Sequence, residues 1–125
     1  MKYSIAIIFC LIVFSCAINK KNTKVLKIEP NEKQEYELLV FDPSYDSYLI
    51  SHAKPQSFHT ESSLKLKNNI YVTNWNSKAT SSGYRIPFDC IIDYNSNTEY
   101  GLELEYKLYY FFKFIEHKYK LNINN

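Results

Sequence analysis

The stretch from about Glu99 to Lys120 constrains the fold most, because its apolar residues recur at the spacing of one helix face. These residues are Leu104, Leu108, Phe111, Phe112, Ile115 and Tyr119. Two acid–base pairs stand four residues apart with the acid first, the order that stabilises a helix: Glu103 with Lys107, and Glu116 with Lys120. The stretch therefore predicts a long helix with one broad apolar face, which other elements must cover.

Two earlier segments have the composition or the alternation of β-strands. The stretch EYELLVF, Glu35 to Phe41, is rich in aromatic and branched residues. Residues 88–94 alternate, with one set of side chains on an apolar face: Phe88, Cys90, Ile92 and Tyr94. This alternation predicts a half-buried strand, in which the Cys90 thiol acts as a small buried hydrophobe.

Two shorter helices are predicted between these strands. Asp42 suits a helix cap and Pro43 suits the first helical position, while Lys54-Pro55 ends this first helix. Thr60 suits a second cap, and apolar residues follow it at helical spacing: Leu64, Tyr71, Val72, Trp75 and Ala79. The sequence IYVT within this helix also has strand propensity, so a strand there is the alternative.

The predicted fold class is α+β, with the elements in the order β-α-α-β-α. Because two strands alone are marginally stable, we expect them to pair and to pack against the long C-terminal helix and the two shorter helices. The apolar patch VLKI, Val25 to Ile28, could add a third strand at the edge of this sheet. The chain has 125 residues, which predicts a single domain.

The amino-terminal segment has the organisation of a lipoprotein signal peptide. Lys2 precedes an apolar run, Ile5 to Phe14, which is too short to span a bilayer (~20 residues) but suits a secretory signal. The next residues complete the sequence VFSC, which is similar to the bacterial lipobox, although Phe14 stands where a small residue is usual. We therefore expect cleavage before Cys16 and a lipid on its thiol. The alternatives are an ordinary signal peptide and an uncleaved anchor.

These features divide the chain into a signal peptide at residues 1–15, a flexible lipid-anchored tether at residues 16–34 and one globular domain at residues 35–125. The tether is polar and rich in lysine. Ala17 stands where an aspartate would retain a lipoprotein at the inner membrane of well-studied enterobacteria. We therefore expect a cell-envelope protein, anchored in the outer membrane and facing the periplasm.

Charge and aromatic content bear on the class of partner. The net charge is only +2, whereas a nucleic-acid-binding protein usually has a clustered basic surface, so we expect no nucleic-acid partner. Aromatic residues make up 17% of the chain, which indicates rings beyond those that fill a small core. The candidates for an interaction surface, facing an envelope protein or a glycan, are Tyr45, Tyr48, Trp75 and Tyr100. For Trp75, which lies on the apolar helical stripe, a place in the core is favoured.

The residues that could carry chemistry follow no recognised catalytic or metal-binding motif. His52 and His59 are seven residues apart, unlike the i, i+4 histidine pairs of helical zinc sites. A Cys–His nucleophile is not favoured, because Cys90 is expected to be buried. We therefore predict no cofactor, no metal site and no enzymatic activity. The alternative is a small periplasmic enzyme or ligand-binding domain, with a cleft formed by Asp42, His52, His59 and Asn74.

Four stretches follow the cysteine and tether: EYELLVFDPSYDSYL at residues 35–49, AKP at 53–55, NNIYVTNWN at 68–76 and IDYNSNTEYGLELEYKLYYFF at 92–112. In this pattern the chain resembles a family of short Bacteroidota lipoproteins of unknown function. The resemblance covers most of residues 35–115. It implies no activity, and it assigns no catalytic residue.

Overall fold

The structure, a computed structural model, describes residues 25–81, 87–88 and 90–125. Cys16, the expected signal peptide and Asp89 therefore lie outside the described residues. Two strands come first, β1 at Leu26–Pro30 and β2 at Tyr36–Val40. Three helices follow: α1 at Ser44–His52, α2 at Glu61–Thr80 and α3 at Leu102–Tyr119, with a short 3-10 turn at Gln56–Phe58 between α1 and α2.

The α+β class is confirmed, but the predicted order β-α-α-β-α is wrong, because the described elements follow the order β-β-α-α-α. The apolar patch at Val25–Ile28 belongs largely to β1, which pairs antiparallel with β2. Residues 90–94 form no strand. β1 also lies within residues 16–34, so part of the range expected as a flexible tether belongs to the hairpin.

Side chains of α2 explain why residues 90–94 do not need a neighbouring strand. The Asn76 side-chain amide donates to the Ile92 carbonyl at 2.9 Å, and its oxygen accepts from the Ile92 N–H at 2.8 Å. The Trp75 indole N–H donates to the Cys90 carbonyl at 2.8 Å. The predicted alternation persists, because Ile92 is buried while Ile91 is exposed. Cys90, however, is a free and only half-buried thiol, which corrects the expectation that it is buried.

The two β-strands place alternate residues on one inner face. Leu26 lies opposite Val40, and Ile28 lies opposite Leu38. Leu26 and Leu38 are buried in the same cluster as the apolar face of α3. The sheet therefore covers part of the long helix, as the sequence predicted. The strand that pairs with β2, however, is β1 and not the predicted strand at residues 88–94.

The apolar face of α3 forms the centre of the core. Its predicted stripe is buried at Leu104, Leu108, Phe111, Phe112 and Ile115, whereas Tyr119, at the end of the helix, is 36% exposed. α2 packs along α3 with two large rings. Tyr71 stacks on Phe112 at a centroid distance of 4.8 Å, and Trp75 lies 5.6 Å from Phe111.

The helix starts largely follow the predicted caps. The Thr60 side chain accepts from the Ser63 N–H at 3.3 Å, and IYVT lies inside α2, so the strand alternative is wrong. The Asp42 carboxylate accepts from the Ser44 N–H at 2.9 Å at the start of α1. α3 begins later than Glu99, after Gly101, whose positive φ of 90° is open to glycine but strained for other residues. Across the described residues, no helix has both the length and the apolar character needed to cross a membrane.

Candidate functional site

An open groove of about 730 Å³ lies between β2 and the start of α3. It begins at the turn that precedes β2, follows residues Tyr36 to Leu38, and reaches the first two turns of α3. The start of α2 contributes Glu61. The volume is typical of ligand sites, but most lining residues are polar or charged, unlike the apolar pockets that hold small drug-like molecules.

The groove is strongly acidic. Five glutamates and a single lysine line it: Glu35, Glu37, Glu61, Glu99, Glu103 and Lys107. Two of these carboxylates form ion pairs, one with Lys107 at 3.0 Å and one with Lys65 at 3.1 Å. The other three have no ion pair within the described part of the chain. Because like charges that line one cleft concentrate counter-charged groups, the groove favours a cationic ligand.

One edge of β2 has unpaired backbone groups. The bonds from Phe41 N to Val25 O, 3.0 Å, and from Asn31 N to Glu35 O, 2.7 Å, show that the odd-numbered residues form the hydrogen-bonded pairs of the hairpin. The N–H and C=O groups of the even-numbered residues therefore point away from β1. Two of these residues, Tyr36 and Leu38, line the groove.

Tyrosine rings form one wall of the groove. Tyr36 is 42% exposed and meets the Tyr100 ring edge-on, at a centroid distance of 4.9 Å. Tyr100 in turn stacks on Tyr94 at 5.2 Å, and its hydroxyl accepts from the Asn95 N–H at 3.0 Å. The exposed ring of Tyr36 is thus supported from behind, and an aromatic ring beside carboxylates is a favourable surface for a cation.

A buried polar cluster supports this wall from below. The Tyr94 hydroxyl donates to the Glu105 carboxyl at 3.1 Å, and the Asn68 amide donates to the same group at 2.7 Å. Asn68 and Glu105 are both fully buried. Burial raises the pKa of Glu105 above its ordinary value, although the hydrogen bonds from Asn68 and Tyr94 oppose this shift. The cluster joins α2 to the first turn of α3 and positions Tyr94 under Tyr100.

The four tyrosine and tryptophan candidates from the sequence separate into two groups. Trp75 is fully buried, as its place on the apolar stripe of α2 favoured, and Tyr45 is 4% exposed, so neither ring lies on the surface. Each faces the core because it lies on the inner side of its helix, and the Tyr45 hydroxyl donates to the Lys107 carbonyl. Tyr48 is half-buried, and Tyr100 is half-buried in the groove wall.

The residues of the alternative cleft have separate partners. Asp42 accepts from Ser44 and forms an ion pair with Lys118 near the end of α3. Burial raises the pKa of Asp42, but the bonds from Lys118 and Ser44 outweigh this effect and hold it below its ordinary value. Asn74 lies half-buried on α2.

The two histidines of that cleft also have different surroundings. His52 stacks on Tyr48 at 4.6 Å and lies 4.8 Å from the ring of His117. The His59 ring nitrogen Nε2 is 3.0 Å from the Tyr110 hydroxyl, which also accepts from the Lys54 N–H. Burial lowers the pKa of His59, and nearby lysines add to this effect. None of the four cleft residues lines the acidic groove.

A second, smaller hollow of about 220 Å³ is lined by Lys67, Ile70, Tyr71, Tyr109, Lys113 and Asn124. Its lysines already have partners, because Lys113 bonds to the Glu116 carboxylate at 3.2 Å and Lys67 lies 5.3 Å from the centre of the Tyr109 ring. Apart from residues 1–24, 82–86 and 89, which were not searched, no group of three or more His, Cys, Asp or Glu side chains could hold a metal ion.

The sequence did not predict the acidic groove, and among its lining residues only Tyr100 was a candidate for an interaction surface. A signal was present, because acidic residues concentrate in two short stretches, EYE at residues 35–37 and EYGLE at residues 99–103. Only the fold shows that these stretches face each other.

Comparisons with known proteins give a family but no activity. A family model described as a family of unknown function, DUF6146, matches residues 3–125. No curated protein matches the chain, and no solved structure matches it.

Proposed function

The chain belongs to the family of unknown function DUF6146, and we propose that it is a lipid-anchored cell-envelope protein whose small domain binds a partner without catalysing a reaction. The lipid is carried by Cys16 and holds the domain at the outer membrane, facing the periplasm. The lipobox-like sequence VFSC and the resemblance to short Bacteroidota lipoproteins support this anchor. The acidic groove between β2 and α3 carries the binding part of the proposal.

The groove has the features of an interaction site. Strong contributors to binding are usually aromatic residues surrounded by polar groups, and Tyr36 is an exposed ring in a groove that Glu99 and Glu103 also line. Tyr100 supports that ring in a fixed position. A partner that covers Tyr36 would also meet the charged residues at the start of α3.

The alternative of an enzyme or ligand-binding cleft has less support. Asp42 is occupied by Lys118 and by the cap of α1, and His52 is stacked on Tyr48. His59 bonds to Tyr110. These contacts give Asp42, His52 and His59 structural roles, and none of the three lines the acidic groove.

Photocrosslinking in cells tests the binding part of the proposal. A benzophenone amino acid replaces Tyr36 in the full-length protein, and a matched control carries it at Tyr119, at the other end of α3. We expect a discrete crosslinked species from position 36 alone, and its loss when Glu35→Gln and Glu37→Gln are added. Equal products from both positions, or products that persist in the glutamine variant, would refute binding in the groove.

Lipid labelling tests the anchor separately. Cells receive alkyne-palmitate and express either the wild type or Cys16→Ala, and membranes are then fractionated. Label on the wild type alone supports the anchor. A wild type that carries no label refutes the anchor and leaves the groove proposal untouched.

A further inference from the structure

We propose that the groove binds an extended peptide segment rich in lysine or arginine, which adds to β2 as a third strand of the sheet. This inference rests on the proposed function, because it names the partner of the same groove. Three observations carry it: the free edge of β2, the unpaired carboxylates beside that edge, and the exposed tyrosine that lines the same groove.

The free edge of β2 indicates that the ligand offers a polypeptide backbone and is not only a small cation. The N–H and C=O groups of Tyr36 and Leu38 point into the groove side of β2 and meet no hydrogen-bonding partner among the described residues. A two-stranded sheet with such an edge is a template for a further strand. Peptides that bind in this way gain affinity from main-chain hydrogen bonds and specificity from alternate side chains.

The carboxylates of Glu35 and Glu37 indicate which side chains the partner peptide carries at every second position. Glu35 and Glu37 are two residues apart, so they lie on the same face of the hairpin, about 7 Å from each other along the strand. Basic residues at every second position of an added strand would match this spacing. The residues between them would face the side of Tyr36 and Leu38, where apolar or small side chains fit.

Peptide binding to the purified full-length protein in detergent tests the inference. Fluorescence anisotropy compares three labelled six-residue peptides: alternating Lys-Val, the same peptide with the amides of one edge N-methylated, and alternating Glu-Val. We expect the first to bind at least about tenfold more tightly than the second, because N-methylation removes main-chain donors. We expect no binding of the third, and weaker binding of the first at high salt.

Charge variants give the matched comparison on the protein side. Replacing both Glu35 and Glu37 by glutamine should weaken the Lys-Val peptide about three- to tenfold, as expected for two exposed ion pairs. Glu32→Gln is the control, because Glu32 lies in the same hairpin, is exposed and does not line the groove. Its affinity should equal that of the wild type. Circular dichroism establishes that all three proteins are folded.

Several outcomes would overturn the inference. Equal affinity for the N-methylated peptide would mean that charge alone binds it, and full competition by spermidine would then indicate a polyamine site. Equal binding of the Glu-Val peptide would remove the charge argument. If no peptide binds while crosslinking from position 36 persists, this inference fails and the proposed function stands. If crosslinking also fails, both fail.

Discussion

Replacing Asn76 by alanine should destabilise the domain much more than alanine at an ordinary position on α2. The Asn76 side chain makes two hydrogen bonds to one backbone unit, accepting from the Ile92 N–H at 2.8 Å and donating to its carbonyl at 2.9 Å. The Ile92 side chain is buried in the core. Removing the amide therefore leaves two backbone groups without partners beside a buried residue.

The expected loss can be worked from these two bonds. Each polar group left without a partner costs about 1–3 kcal/mol, with the low end appropriate where water has partial access. Alanine recovers about 0.5 kcal/mol through its higher helix propensity. The net loss in the free energy of unfolding is then about 1.5–3 kcal/mol, which corresponds to a fall in Tm of roughly 6–15 °C.

Urea denaturation of the purified protein measures this loss, followed by the fluorescence of the single tryptophan. Trp75 bonds to the neighbouring Cys90 carbonyl, so its signal reports on the same segment. Asn69→Ala is the control, because Asn69 is exposed on the same helix. Asn76→Asp keeps the acceptor for Ile92 and should lose an intermediate amount. A loss for Asn76→Ala within about 0.5 kcal/mol of the control would refute the reasoning.

Three further predictions concern stability. Because burial raises the pKa of Glu105, wild-type stability should fall as pH rises from the ordinary value of 4.5 through the raised folded value. Glu105→Gln should remove this loss, so its urea midpoint should rise relative to that of the wild type as pH increases above 4.5. Parallel curves would contradict the prediction. The lowered pKa of Asp42 means that its contribution is present above about pH 3.8 and is lost as pH falls through the folded value. Asp42→Asn keeps the helix cap but loses the ion pair with Lys118, so it should lower the free energy of unfolding by less than about 1 kcal/mol. Asp42→Ala also loses the cap and should lower it by about 1 kcal/mol more. Equal melting temperatures for the two variants would count against the cap. Trp75→Ala should cost about 3–5 kcal/mol and Trp75→Phe clearly less, measured by urea denaturation with circular dichroism, and a small loss for alanine would show that the ring is not packed.

The helices could be predicted from sequence because their signals are local. The spacing of Leu104, Leu108 and Phe111 is itself the geometry of a helix face, and all three are buried as expected. The cap at Thr60 needs only the residue three positions later. Such patterns do not depend on which distant residues come close in the fold.

The strands could be predicted only in part, because a strand needs a partner that the local sequence does not specify. Alternation around Ile92 gave the correct buried side, but that segment is bonded by the Asn76 side chain and not by a strand. β1 was left uncertain, although Asn31 gave a turn signal. Its side-chain oxygen accepts from the Lys33 and Glu35 N–H groups, at 2.9 and 3.0 Å, and closes the hairpin.

The groove could not be predicted for a related reason. Its carboxylates come from the hairpin, the start of α2 and the start of α3, which only the tertiary fold brings together. The aromatic candidates show the same limit. Trp75 and Tyr100 have similar sequence surroundings, each beside asparagines or acidic residues, yet one is buried and the other lines the groove.

The position of β1 also sets how far an anchored domain could move from its membrane. If Cys16 carries the lipid, eight residues separate it from Val25, the first described residue before β1, and this length of chain spans at most ~30 Å. Had the free segment reached Glu35, its limit would have been ~65 Å. Compared with a tether that reaches Glu35, the shorter tether reduces the volume accessible to the groove roughly tenfold. It raises the effective concentration of membrane-bound partners by the same factor. If Cys16 carries the lipid, a partner held at the same membrane would therefore meet the groove at a higher effective concentration than a longer tether would allow.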